Sequence, residues 1–208
     1  MTFRNMRSTG VTLILLALLS PLAANAHHAM DNAIPATLIS GLISGLAHPI
    51  IGLDHFLFVI AIGGFNLFTD RKVFDSASFI VATVAGGFLH LTGFFLPYGE
   101  VWIAISLIIF GFFIYRNNSL PNKKLIHSFF VLAGVLHGYA YGEAILGAEA
   151  TPLLAYIFGF SMIQLAIVFI AYRIMAYCAE KKLAIQAMKM LSGALCVFGG
   201  FFLILPFA

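Results

Sequence analysis

Residues 33–68 read AIPATLISGLISGLAHPIIGLDHFLFVIAIGGFNLF, 36 residues almost free of charge. As one helix they would extend about 54 Å, against a bilayer core of about 30 Å. The stretch must therefore be divided, and its polar residues suggest where. Proline disfavours helical geometry in the residue before it and suits the first helical position. His48-Pro49 is thus the predicted break. A helix over 49–68 is about 30 Å long, one crossing. The piece before it, 33–47, is about 22 Å long and too short to span comfortably. Leu38, Ile39, Leu42, Ile43 and Leu46 form its apolar face. Thr37, Ser40, Gly41, Ser44 and Gly45 form a small, mildly polar one. Small residues let helices approach closely, so this piece reads as a short re-entrant or interfacial helix packed on a bundle.

The rest of the chain has the same solvent in mind. Of its 208 residues, 62% are hydrophobic and 9% charged, and its mean hydropathy is +1.02. A soluble domain carries about 25% charged residues, so the expectation is an all-α membrane protein embedded in the lipid bilayer. The net charge of +3 comes from short cationic clusters between apolar runs, which argues against a nucleic-acid partner. Cys178 and Cys196 lack the spacing of a disulfide framework or a zinc knuckle. At the N-terminus, Arg4 and Arg7 precede an apolar run over 11–19, then Pro21 and Ala24-Asn25-Ala26. That is the pattern of a signal peptide, 1–26, cleaved after Ala26. It leaves one polytopic domain over 27–208.

Further apolar segments lie at about 76–96, 100–115, 125–146, 152–172 and 184–207, each fitting a crossing. Their connections fix the orientation. Beyond Arg4 and Arg7, the cations are Arg71, Lys72, Arg116, Lys123, Lys124, Arg173, Lys181, Lys182 and Lys189. All follow odd-numbered crossings if 33–68 crosses once, while the alternate connections hold Glu100 and Glu149. The positive-inside rule then predicts six transmembrane helices in a bacterial cytoplasmic (inner) membrane, with both mature termini periplasmic. Tyr98, Trp102, Tyr139, Tyr141 and Tyr156 fall near the outer interface, where an aromatic belt is expected.

Ionisable groups in hydrocarbon are costly and point to function by default. On this topology Asp54 and His55 lie about 8 Å below the outer edge, with His48 at the edge itself. His90 lies about 9 Å from the outer end of its helix, Glu143 about 5 Å and His137 about 13 Å. Six candidate ligands from distant segments share one leaflet. Imidazole and carboxylate without thiolate suit Ni2+, Co2+ or Zn2+ and argue against Cu(I). Each residue also has a plainer explanation. His48 can cap a helix, Asp54 can satisfy the N–H groups of a first turn, and His90 can be a hydrogen-bonded packing residue. His127, at a helix start, reads as solvated, and His27 and His28 as a tail that could capture metal. Gly134, Gly138 and Gly142 give the fourth crossing a close-packing face, with His137 and Tyr141 together on a neighbouring one. Asn66, Ser106, Ser161, Gln164 and Ser192 lie deeper, as inter-helix hydrogen bonds or as the lining of a path.

The motif His48-Pro-x-x-Gly52-x-Asp54-His55 resembles the signature of the HupE/UreJ family of nickel-enzyme accessory proteins. Leu96-Pro97 with Glu100, the run Ile103-Ala104-Ile105-Ser106, and His137-Gly138 with Gly142-Glu143 match it as well. Where many members carry a second histidine in the last motif, this chain has Tyr141. The resemblance covers essentially the whole chain. It implies a permease or metal-acquisition protein for nickel, or cobalt in some relatives, supplying hydrogenase or urease maturation through cytoplasmic metallochaperones. It also implies a metal role for His48, Asp54, His55, His137 and Glu143. The expectation is of a transporter and not an enzyme. The rival readings are a zinc-dependent intramembrane hydrolase, whose ligands would be the same, and a metal sensor or chaperone that does not transport.

Overall fold

The computed structural model describes residues 34–116 and 122–204. The expected signal peptide, His27 and His28 lie outside them. All regular structure among the described residues is helical: α1 Leu38–Ile51, α2 Leu53–Phe65 with a 3-10 turn at Asn66–Phe68, α3 Lys72–Leu91, α4 Gly99–Tyr115, α5 Lys123–Glu143, α6 Ala150–Glu180 and α7 Ala184–Ile204.

Helix α1 starts at a capping box. Thr37 Oγ1 accepts the Ser40 N–H at 3.1 Å, and Ser40 Oγ accepts the Thr37 N–H at 2.9 Å, satisfying two donors that a helix start leaves open. The predicted break before Pro49 is corrected by the structure. His48 and Pro49 both lie inside the last turn of α1, and the chain bends at Gly52, between α1 and α2. Proline removes one backbone donor, and so close to a helix end little remains to be disrupted. Gly52 closes α1 with a 3.2 Å bond from its N–H to the His48 carbonyl. The helix after the break accordingly begins at Leu53, not at Pro49.

Four helices, α3, α5, α6 and α7, are long and apolar enough to cross a membrane. The α1–α2 pair meets the same test when taken together, but is bent by 79°. Helix α4, at 17 residues, is shorter and strongly apolar. Large apolar side chains such as Val81, Phe158, Phe169 and Val197 lie on the outside, as suits a bundle whose solvent is lipid. Helix α6 outruns the apolar segment 152–172. Its 31 residues end at Glu180, about 46 Å from its start.

The helices pack chiefly in three pairs, α3 with α5, α1 with α6, and α4 with α7. Small residues set the first two. A Cβ at Gly138 of α5 would collide with the Thr83 carbonyl of α3, and one at Gly45 of α1 with the Tyr156 carbonyl of α6. This is the close backbone approach expected of the glycine spacing. The deeper polar residues mostly bond between helices. Asn66 Nδ2 donates to Ser76 Oγ at 2.8 Å, Ser192 Oγ to the Gly111 carbonyl at 2.7 Å, and Gln164 Nε2 to Thr83 Oγ1 at 3.3 Å. Between the pairs, Phe58, Ile62, Phe65, Phe79, Leu107, Phe110 and Phe130 form the apolar core.

The cationic end is tied together. Lys123 Nζ donates to Asp70 Oδ2 at 2.7 Å, joining the α2–α3 turn to the start of α5. That hydrogen bond and charge hold the Asp70 carboxyl below its usual range. His127 is not simply solvated. Its Nδ1 lies 3.3 Å from the buried Asp75 carboxylate, which Arg71 Nε also approaches at 3.8 Å.

Candidate metal centre

At the opposite end of the bundle a cavity of about 660 Å³ opens between the α1–α2 bend, α3, α4 and α5. His48, Asp54, His55, His90, Glu100 and Glu143 all line it. Three imidazoles and three carboxylates therefore face one space, with no lysine or arginine among its lining residues.

The bend at Gly52 builds the inner wall. It brings the last turn of α1 and the first turn of α2 together, so that His48, Asp54 and His55 are all buried side by side. Asp54 Oδ1 accepts the His55 backbone N–H at 2.8 Å, satisfying a first-turn donor as a helix-start aspartate can. The same oxygen stands 4.0 Å from His55 Nε2. A Cβ at Gly52 would lie 2.7 Å from His55 Cδ2 and 3.2 Å from Asp54 Oδ1. Glycine is thus needed there to give these two side chains room.

Behind the wall stands His137, fully buried and outside the cavity lining. Its Nδ1 is 2.8 Å from His55 Nδ1 and its Nε2 is 2.9 Å from Ser106 Oγ. Two tyrosines complete the packing. The Tyr141 ring lies 4.3 Å from the His55 ring and 4.9 Å from the His48 ring, centroid to centroid. The Tyr156 hydroxyl is 2.9 Å from His48 Nδ1. Of the expected aromatic belt, Tyr98 and Trp102 are exposed, whereas Tyr139, Tyr141 and Tyr156 are buried. An amphipathic ring suits both an interface and a buried polar pocket; here the pocket wins.

The outer wall comes from α3, α5 and the connection between α3 and α4. Tyr139 accepts the Leu96 N–H at 3.0 Å and donates to the Phe94 carbonyl at 2.8 Å, which holds that connection over the cavity. The His90 ring rests on Tyr139 at 4.5 Å, and its buried Nδ1 has no hydrogen-bond partner among the described residues. Glu143, the last residue of α5, is exposed at the rim.

The six sequence candidates are thus not one shell. His48, Asp54 and His55 are adjacent, His90 and Glu143 stand across the cavity, and His137 is behind His55. No three His, Cys, Asp or Glu side chains among the described residues are grouped closely enough to hold a metal ion. Tyr156 and Ser106 touch the centre, whereas the sequence points Tyr156 to the aromatic belt and Ser106 to an inter-helix hydrogen bond or a path lining. Their signal was faint: a tyrosine about 9 Å into its helix, and a hydroxyl in an otherwise apolar one.

Long apolar helices around a buried pocket of imidazoles and carboxylates define a multi-pass membrane protein. The family described as HupE / UreJ protein matches residues 14–203, and the chain belongs to that family, as its motifs had suggested. It is 27% identical over 142 residues to Protein HupE of Rhizobium leguminosarum bv. viciae, covering 66% of this chain and 69% of that protein. No solved structure matches the chain.

Proposed function

We propose that the protein is a transition-metal permease of the cytoplasmic membrane, taking Ni2+ first and Co2+ second from the periplasmic side. The observation that carries this reading is the cavity lining, where acceptor and electron-pair donor groups converge without a competing cation. We assign capture to His48, Asp54 and His55, which stand adjacent but must draw together around the ion to ligate it, with His90 and Glu143 drawing it in from the rim. Nitrogen and oxygen donors match these borderline metals. Membership of a family associated with nickel and cobalt uptake for hydrogenase and urease supports the cargo; cytoplasmic metallochaperones are the recipients we propose. The cavity lies at the end opposite the cationic connections, so the positive-inside rule turns it outward. Six crossings follow if the bent α1–α2 pair passes the bilayer once and α4 spans it.

Capture must be tight enough to load and weak enough to release. A cluster of few ligands beside a large open volume suits that compromise. The test is Ni2+ entry into proteoliposomes containing a trapped metal-sensitive dye. Entry with the wild type, and its loss with His55→Ala protein that still inserts, is the expected result. Equal entry with both would overturn the reading, and hydrolase activity without entry would favour a zinc enzyme.

A further inference from the structure

We infer that Ser106 is a positioning residue: acting through His137, it fixes His55 in the tautomer whose Nε2 carries the electron pair facing Asp54. The inference rests on the metal-binding reading above and adds to it a residue outside the cavity.

The argument is a count of hydrogens along a chain of contacts. Ser106 lies in α4 and is buried. Its hydroxyl has one hydrogen, and Oγ donates it to the Ile103 carbonyl at 2.7 Å. A carbonyl oxygen can only accept. Towards His137 Nε2, at 2.9 Å, Ser106 Oγ must therefore act as acceptor, and His137 must carry its hydrogen on Nε2. A neutral imidazole has a single N–H, so His137 Nδ1 bears the electron pair. His55 Nδ1, 2.8 Å away, then donates to it. That assigns the hydrogen of His55 to Nδ1 and the electron pair to Nε2, the nitrogen 4.0 Å from Asp54 Oδ1.

The chain has a chemical purpose. Imidazole binds a metal through a nitrogen without hydrogen, and the bond made by its other nitrogen selects which one that is. Partners of this kind commonly change metal affinity about 10- to 100-fold. With the opposite tautomer, His55 Nε2 would carry an N–H beside Asp54 and could not ligate a cation there. The arrangement also explains why His137 is buried behind His55. Both of its nitrogens serve the relay, and its place is to orient a ligand.

The test uses full-length protein in detergent with 15N-labelled histidine and no metal, then titrated with Ni2+ alone. Long-range 1H–15N spectra should show His55 protonated at Nδ1 and His137 at Nε2. Ser106→Ala should mix the tautomers at both rings and weaken Ni2+ binding roughly tenfold or more. Ser106→Thr, which restores the hydroxyl, should recover both. Wild-type His55 protonated at Nε2 would overturn the inference, as would Ser106→Ala protein with unchanged tautomers and affinity. If Ser106→Ala fails to fold, the wild-type and Ser106→Thr spectra still decide. Wild-type protein that binds no Ni2+ would sink the permease reading instead, while the spectra judge the relay separately.

Discussion

Gly52→Ala separates the site from the fold. The backbone at Gly52, with φ −72° and ψ 100°, is open to any residue, so alanine brings no strain of its own. What it meets is His55, whose Cδ2 would lie 2.7 Å from the new methyl, against the 3.4 Å at which ordinary contact begins. The ring must retreat by about 0.7 Å, more than the roughly 0.5 Å tolerance of a working constellation. A shift of that size in the least favourable direction stretches the 2.8 Å bond to His137 beyond hydrogen-bond range. Losing one such bond costs about 0.5–1.5 kcal/mol. Replacing glycine by alanine returns about 0.4–1 kcal/mol by restricting the unfolded chain. Stability should barely move, with a melting shift within about 4 °C. Ni2+ affinity should fall roughly 10- to 100-fold, as when an orienting partner is lost. Ni2+ calorimetry and thermal unfolding on one detergent preparation measure both. Wild-type affinity in Gly52→Ala would refute the claim that ring placement matters. A melting loss above about 10 °C would show that Gly52 serves the fold instead.

Asp54→Asn keeps an oxygen for the His55 N–H but removes the charge. It should preserve folding and weaken Ni2+ binding by about 1.5–3 kcal/mol, the range for a charged partner, read by the same titration. Imidazole must be neutral to bind metal and ordinarily titrates near pH 6.5, so affinity should fall from pH 8 to pH 5; a flat profile would count against His48 and His55 as joint ligands. Folding should not follow that profile through the Lys123–Asp70 pair. With its carboxyl held low, Asp70 contributes above its unfolded value near 3.9 and loses that contribution only at lower pH. A reporter active only in the periplasm should work when fused after Ala208 or within 147–151, and fail within 117–123. Periplasmic activity at 117–123 would invert the topology and turn the cavity to the cytoplasm.

How legible this molecule is in its sequence depends on the kind of constraint. Helix positions followed from apolar length, and the glycine spacing of α5 announced a close approach without naming α3 as the partner. The bend was misplaced because two signals compete within four residues. Pro49 limits residue 48, yet a proline near a helix end is tolerated, whereas Gly52 answers to side chains that meet only in three dimensions. The end of α6 was missed because apolarity stops near Arg173 while the backbone continues to a cap at Lys181, with Lys182 at φ 60°. At the site, rare ionisable residues announced themselves. Tyr156 and Ser106 were legible only as a belt residue and an inter-helix or path-lining hydroxyl, since such residues are ordinary in membrane helices and take a particular role only from the atoms they touch.

An ion captured at the proposed centre would have a mechanical role, given by the pairing of helices. His48 belongs to the α1–α6 pair, and His90 and Glu143 to the α3–α5 pair, while Asp54 and His55 occupy the joint at Gly52. A cation held by donors from both sides is a rivet through a seam. Its binding energy resists separation of the two halves, so load and shape are coupled. Saturating such a site at a hundred times its dissociation constant adds about 2.7 kcal/mol to the riveted form, and any opening of the seam must surrender that hold before the ion can leave.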